Sequence, residues 1–113
     1  MNRLGEAAEA TAAAFLTGQG LRIVARNFQC RFGEIDIVAM DGDMIVFVEV
    51  RQRASAAFGG ALESITPAKQ RKLVRTAEVY LLERATQSPC RFDAVLVEGK
   101  GGRIEWIRNA FCT

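Results

Sequence analysis

At 113 residues the chain is long enough for one real hydrophobic core and too short for two, so a single domain over 1–113 is expected. Half of the residues are hydrophobic and a quarter charged, the profile of a soluble globular protein rather than a disordered one, and a net charge of +2 is only a weak pull toward nucleic acid. Histidine is absent and Cys30, Cys90 and Cys112 are widely spaced, which excludes a histidine-based triad or proton shuttle, leaves a zinc site unsupported, and reads as packing thiols in a reducing compartment.

Residues 3 to 18 are rich in alanine, with Leu4, Ala8, Ala12 and Phe15 at helical spacing and Gly18 and Gly20 closing the run, which predicts a first helix. Glu9 shares a stripe with Gly5, Ala12, Ala13 and Leu16 and so points toward the protein; the competing reading is a surface charge that favours the helix dipole. Glu6 and Glu9 in these turns, with no long apolar run, argue against a secretory signal. Residues 21 to 28 read as a first strand. A hairpin follows, in which Gly33-Glu34-Ile35-Asp36-Ile37-Val38 and Phe47-Val48-Glu49-Val50-Arg51 flank the turn signal Asp41-Gly42-Asp43. With Gly42 and Asp43 as a two-residue loop, Met40 faces Ile45, Asp36 faces Glu49 and Glu34 faces Arg51. Those four polar side chains then share one face, and Ile35, Ile37, Val46, Val48 and Val50 the other. A loop of Asp41 and Gly42 slips the pairing by two and keeps Asp36 diagonal to Glu49, whereas a three-residue loop separates them onto opposite faces.

Carboxylates on strands otherwise built from Ile, Val and Phe lose hydration and persist when a cation, partner or metal compensates them. Two placed side by side raise one another's pKa unless a divalent cation lies between them. A hard cation such as Mg²⁺ takes one or two carboxylates, a backbone carbonyl and waters, and Glu49 and the Val50 carbonyl offer such ligands, with Arg51 as a cation on the same face. The plainer alternative is that Glu34, Asp36, Glu49 and Arg51 form a salt-bridged patch on a solvated sheet face.

Beyond the hairpin, residues 54 to 64 form an Ala/Gly/Ser loop containing Phe58-Gly59-Gly60, either a substrate-contacting segment or a bare connector. Thr66-Pro67 marks the start of a second helix that runs to about Arg84. Its apolar stripe of Leu73, Ala77, Tyr80 and Leu81 extends back to Lys69 and Gln70, which aims them at something polar, with the carboxylate face as the candidate; a snorkelling Lys69 is the alternative. Arg51, Arg53, Lys69, Arg71, Lys72 and Arg75 enclose a stretch whose single acid is Glu63, a basic side for a phosphate backbone, or else the wet face of a helix. Arg91 to Val97 supplies another strand, on which Arg91 and Asp93 pair with each other or a neighbour as structural groups. Arg103 to Ile107 supplies a terminal strand after a glycine-rich turn that is no phosphate loop. Trp106 and Phe111 read as packing rather than base-stacking residues. Met44 to Val48, the longest strongly apolar stretch, cannot span a bilayer, so no membrane partner is expected and the cytoplasm is the default location.

Glu9, Gly33-Glu34-Ile35-Asp36 and Val48-Glu49-Val50-Arg51 together resemble the PD-(D/E)XK nuclease superfamily. More closely, the chain resembles the bacterial YraN-like proteins, uncharacterised protein family 0102, described as predicted endonucleases. The likeness runs from Gly5-Glu6-Ala7-Ala8-Glu9 through Arg26-Asn27 and Phe58-Gly59-Gly60-Ala61 to Lys69-Gln70 and Arg91-Phe92-Asp93. It implies an α/β fold with the αβββαβ core of restriction endonucleases and archaeal Holliday-junction resolvases, a mixed central sheet flanked by helices. It also implies a metal-dependent endonuclease acting on nucleic acid, with structured or branched DNA as substrate and Mg²⁺ or Mn²⁺ as cofactor. By position, Asp36 and Glu49 match the two metal-binding acids, Glu9 the acid that some members add from the first helix, and Gln70 the group on the second helix that supports the site, with Lys69 and Glu34 beside it. Arg51 stands where these nucleases usually carry lysine, and arginine stays charged, so it orients or stabilises without exchanging a proton. That departure keeps a second class open, a catalytically silent nucleic-acid-binding or partner-binding module on the same fold. A homodimer is an expectation taken from the resolvase likeness alone.

Overall fold

The structure is a computed structural model that describes residues 3–53, 65–99 and 103–111; the side chains of residues 3–5 and 53 lie outside that description. Helix α1 (Arg3–Gly18) leads into a meander of β1 (Arg22–Cys30), β2 (Gly33–Asp41) and β3 (Met44–Arg53). Helix α2 (Pro67–Glu83) then crosses to β4 (Cys90–Glu98), and β5 (Ile104–Phe111) ends the sheet. The five strands lie in the order β1-β2-β3-β4-β5, antiparallel except for β3 against β4, which are parallel because a helix carries the chain back to the starting edge. This is the mixed α/β arrangement that the sequence predicts.

The two helices cover opposite faces. Ala8, Ala12 and Leu16 of α1 pack on Ile37, Ala39, Val46, Val48, Val95 and Val97. Leu73, Ala77 and Tyr80 of α2 pack on Val38, Ile45, Phe47, Phe92 and Ala94. Strands covered on both faces are largely apolar, and β2 is buried without a break from Ile35 to Ala39, with Asp36 its one buried acid. Helix α2 begins where Thr66, in extended conformation, accepts a hydrogen bond from the Lys69 N–H at 3.3 Å, with Pro67 at the first helical position.

The hairpin adopts the first of the registers considered. Met40 pairs with Ile45 and Asp41 with Met44, so Gly42 and Asp43 are the loop, and Gly42 takes φ 61°, as the first position of such a turn requires. The strand faces depart from the expectation. Ile37 packs under α1, but Ile35 packs under α2, although a regular strand would put both on one side. The side-chain alternation therefore changes phase around Asp36, and the β2–β3 ladder, which runs from Asp41↔Met44, ends at Ile37↔Val48, one residue short of it.

Strand β5 extends past the predicted Ile107 to Phe111, because Asn109 at φ 51° absorbs an irregularity and lets Phe111 pair with Phe92 and stack on it at 4.8 Å. Trp106 is a packing residue, edge-on to Phe15 at 6.2 Å, and Arg91 and Asp93 pair at 3.0 Å as structural groups. Cys90 departs from its reading as a packing thiol: it is the exposed first residue of β4. The Ala54–Ser64 segment with Phe58-Gly59-Gly60, and Cys112, lie outside the described residues.

Candidate metal centre

Asp36 lies at the point where the ladder stops. Its Oδ2 accepts a hydrogen bond from the Val50 N–H at 2.8 Å, so a side chain takes up a backbone donor where the β2–β3 pairing has ended. Around it, carboxylate oxygens of Glu9 from α1 and of Glu34 and Asp36 from β2 all lie within 4.8 Å of one another. Glu49 of β3 joins from the other side: it lines a narrow crevice with Ile35, Leu73 and Phe92, and its carboxyl shares a hydrogen bond with that of Asp36. Glu9, Glu34 and Glu49, three acids from three elements, thus surround the one buried carboxyl of Asp36.

The electrostatics follow from this crowding. Burial, and then the hydrogen bond and negative charge of Glu49, push the Asp36 carboxyl up to about 8, against the lowering effect of the Val50 N–H. The protonated form of Asp36 is thus favoured well above the ordinary carboxylate range. Burial raises Glu9 as well, opposed by its bond from Asn27. An all-oxygen donor set that retains a proton for want of a compensating charge suits a hard divalent cation, whose two charges would replace that proton.

The residues expected at the site divide accordingly. Glu9 does point inward, and Asp36 and Glu49 meet. Glu34 joins the acids rather than facing Arg51. Arg51 pairs instead with Glu49, Nη2 to Oε2 at 3.4 Å, and its buried Nε has no hydrogen-bond partner among the described residues. The expectation that Lys69 and Gln70 aim at the acids is corrected. Lys69 is exposed, and Gln70 Nε2 donates to the Ile65 carbonyl at 3.0 Å, so its amide is taken up by the backbone at the start of α2 rather than by an acid. Arg71, Lys72 and Arg75 are exposed along α2, and the Arg53 side chain lies outside the description.

Two residues with no role assigned from the sequence hold the acids in place. Asn27 Nδ2 donates to Glu9 Oε1 at 2.6 Å, and Gln29 Nε2 donates to Glu34 Oε2, also at 2.6 Å. Asn27 sits in β1 at φ 55°, a left-handed conformation that asparagine tolerates better than the β-branched residues usual in strands. An asparagine inside the run Ile23-Val24-Ala25-Arg26-Asn27-Phe28 was the available signal.

Comparison with known proteins places this geometry in a family context. Residues 8–97 match the model of the uncharacterised protein family UPF0102, a span that takes in Glu9, both acidic strands and α2. The chain is 58% identical to a UPF0102 protein of Nitrosospira multiformis over 108 residues, 95% of this chain and 91% of the relative. It is 56% identical to one from Nitrosomonas europaea over 108 residues, 95% of this chain and 92% of the relative. A UPF0102 protein of Pseudomonas putida is 48% identical over 114 residues, 96% of this chain and 93% of the relative.

Proposed function

The chain belongs to uncharacterised protein family UPF0102, and we propose that it is a metal-dependent endonuclease of the PD-(D/E)XK type that hydrolyses phosphodiester bonds in structured or branched DNA. The observation that carries this reading is the grouping of Glu9, Glu34 and Asp36 around one buried carboxyl, with Glu49 against Asp36 and the Arg51 guanidinium against Glu49. Asp36, Glu49 and Glu9 would hold the cation, with Glu34 alongside. Mg²⁺ or Mn²⁺, when bound, supplies a Lewis acid for a phosphoryl oxygen and a water nucleophile.

The protein's own groups do the rest. Asp36, whose acid form burial and Glu49 favour, must give up its proton before it can accept a cation, so loading is coupled to deprotonation. Asn27 and Gln29 orient Glu9 and Glu34 so that these acids need not reorganise on loading. Arg51, permanently charged and half-buried, stabilises negative charge as it develops on the phosphate; lacking an accessible neutral form, it cannot pass on the proton of the attacking water. Arg71, Lys72, Arg75 and Arg53 are the candidate backbone contacts. Such a protein would act in the cytoplasm, where nucleic acid is available to it.

Arginine at position 51, in contact with Glu49, favours one other reading, a nucleic-acid-binding module without turnover. The two separate in an assay of labelled branched, duplex and single-stranded DNAs with Mg²⁺ or Mn²⁺, run on the wild type and on Asp36→Ala/Glu49→Ala. The nuclease reading expects metal-dependent cuts that the double variant abolishes while binding is kept. Salt-sensitive binding without cleavage by the wild type would move the assignment to the binding module.

A further inference from the structure

We propose that the turn joining β1 to β2 and the adjoining flank of α2 form a docking surface for the phosphodiester backbone of nucleic acid, with Arg31, Lys72 and Arg75 as phosphate contacts and Phe32 as the platform that fixes the two guanidiniums. This rests on the reading of the protein as one that acts on nucleic acid, and adds where the strand is held. The Arg31 guanidinium carbon lies 4.7 Å from the Phe32 ring centroid and that of Arg75 lies 5.2 Å from it. Two charges at those distances from one point are less than 10 Å apart, about a Debye length, close enough to repel each other. Both arginines are exposed, and neither forms an ion pair with a carboxylate among the described residues. Glu78 lines a shallow groove with Phe32, Arg75, Val79 and Leu82, beside this arrangement.

The two cation–π contacts to the half-buried ring hold the guanidiniums without using their N–H edges. Stacked guanidiniums with free edges are suited to bidentate phosphate contacts. Lys72 is brought alongside by the tight seating of the turn on α2. A methyl group placed on Gly33 would sit 3.4 Å from Thr76 Oγ1 and 3.9 Å from Lys72 Cβ, so glycine is what lets the turn and the helix approach. Glu34 is the second residue after Phe32 and Asp36 the fourth, roughly 13 Å along an extended strand. A backbone gripped at the turn therefore crosses the rim of the sheet close to the acids. With Glu9, Glu34, Asp36 and Glu49 set aside, fifteen cations face nine acids in the remaining chain, and this turn holds two of those cations on one ring with the base of Lys72 beside it.

The test is fluorescence anisotropy with a labelled DNA duplex in EDTA, titrated across a range of salt, on the wild type and on Arg31→Gln/Arg75→Gln, with thermal unfolding confirming that the variant folds. The slope of log affinity against log salt is expected to become shallower by about two, since each lost phosphate contact removes about 0.9. Arg22→Ala/Arg108→Ala, which removes two exposed arginines elsewhere on the sheet, is expected to leave the slope unchanged. An unchanged slope in Arg31→Gln/Arg75→Gln overturns the surface, and if the wild type still cleaves with metal, the nuclease reading stands without it. A shallower slope in a protein that never cleaves keeps the surface and removes the nuclease. A wild type that binds no nucleic acid at all overturns both.

Discussion

At Asp36 two opposed demands meet: the Val50 N–H favours the carboxylate, while burial and the neighbouring Glu49 favour the acid, and the acid wins. Asp36 is lifted from an ordinary value near 3.8 to about 8, so between those pH values the folded protein keeps a proton that the unfolded chain has released. Stability from this group is therefore complete below pH 4 and declines as pH rises toward 8, by at most about 1.4 kcal/mol per pH unit for one proton. Thermal unfolding in EDTA at a series of pH values should show that decline, and Asp36→Asn, which cannot ionise, should flatten it; an equal decline in Asp36→Asn would place the titration elsewhere. Asn27 makes a second prediction at this scale. Its amide holds Glu9 at 2.6 Å, and loss of such an outer partner typically weakens a metal site about 10- to 100-fold. Calorimetric titration with Mn²⁺ should show that loss in Asn27→Gly, which keeps the left-handed backbone at φ 55° available and removes only the amide. Affinity equal to wild type would mean that Glu9 needs no holder.

Among the elements, the β2–β3 hairpin decides whether the acids meet. Gly42, at φ 61°, is the residue that makes a two-residue loop, and with it the pairing of Met40 with Ile45, easy to form. A Cβ at Gly42 would meet nothing within 4 Å, so Gly42→Ala carries backbone strain alone, about 1–2 kcal/mol. Denaturant unfolding should return that loss with an unchanged m-value, whereas a changed m-value would report a slipped register. This element was readable from the sequence because a glycine between two aspartates has few other uses, and α2 was readable because Thr66-Pro67 is a complete start signal. The phase change between Ile35 and Ile37 was not, since strand periodicity assumes an unbroken ladder and Asp36 is where it ends. Nor was the direction of Lys69 and Gln70: a helical stripe says which residues share a side, but not that a nearby backbone carbonyl, that of Ile65, will take up the glutamine. Asn27 and Gln29 stayed silent for a related reason, as their partners Glu9 and Glu34 come within reach only once α1 and the β1–β2 pair are assembled.

Over the whole molecule, the candidate ligands come from α1, β2 and β3, so the cluster exists only when the first helix is docked on the sheet. Divalent cation binding is then linked to global folding, and a concentration one hundred times the dissociation constant should raise the unfolding free energy by about 2.7 kcal/mol. Asp36→Ala/Glu49→Ala should gain nothing from the same addition. Loss of stability alone must not be mistaken for loss of the site, and β4 supplies the control. Asp93 is buried and accepts hydrogen bonds from Arg91 Nε at 3.0 Å, Trp106 Nε1 at 2.9 Å and the Asn109 N–H at 3.0 Å. Asp93→Ala strands those donors and should cost about 3–5 kcal/mol, yet none of the hydrogen bonds it removes belongs to the four acids. If the cluster holds the cation, the Asp93 variant starts less stable and still gains the full increment with Mg²⁺ or Mn²⁺. If the increment disappears there too, or persists in Asp36→Ala/Glu49→Ala, the cation is acting somewhere other than at these acids.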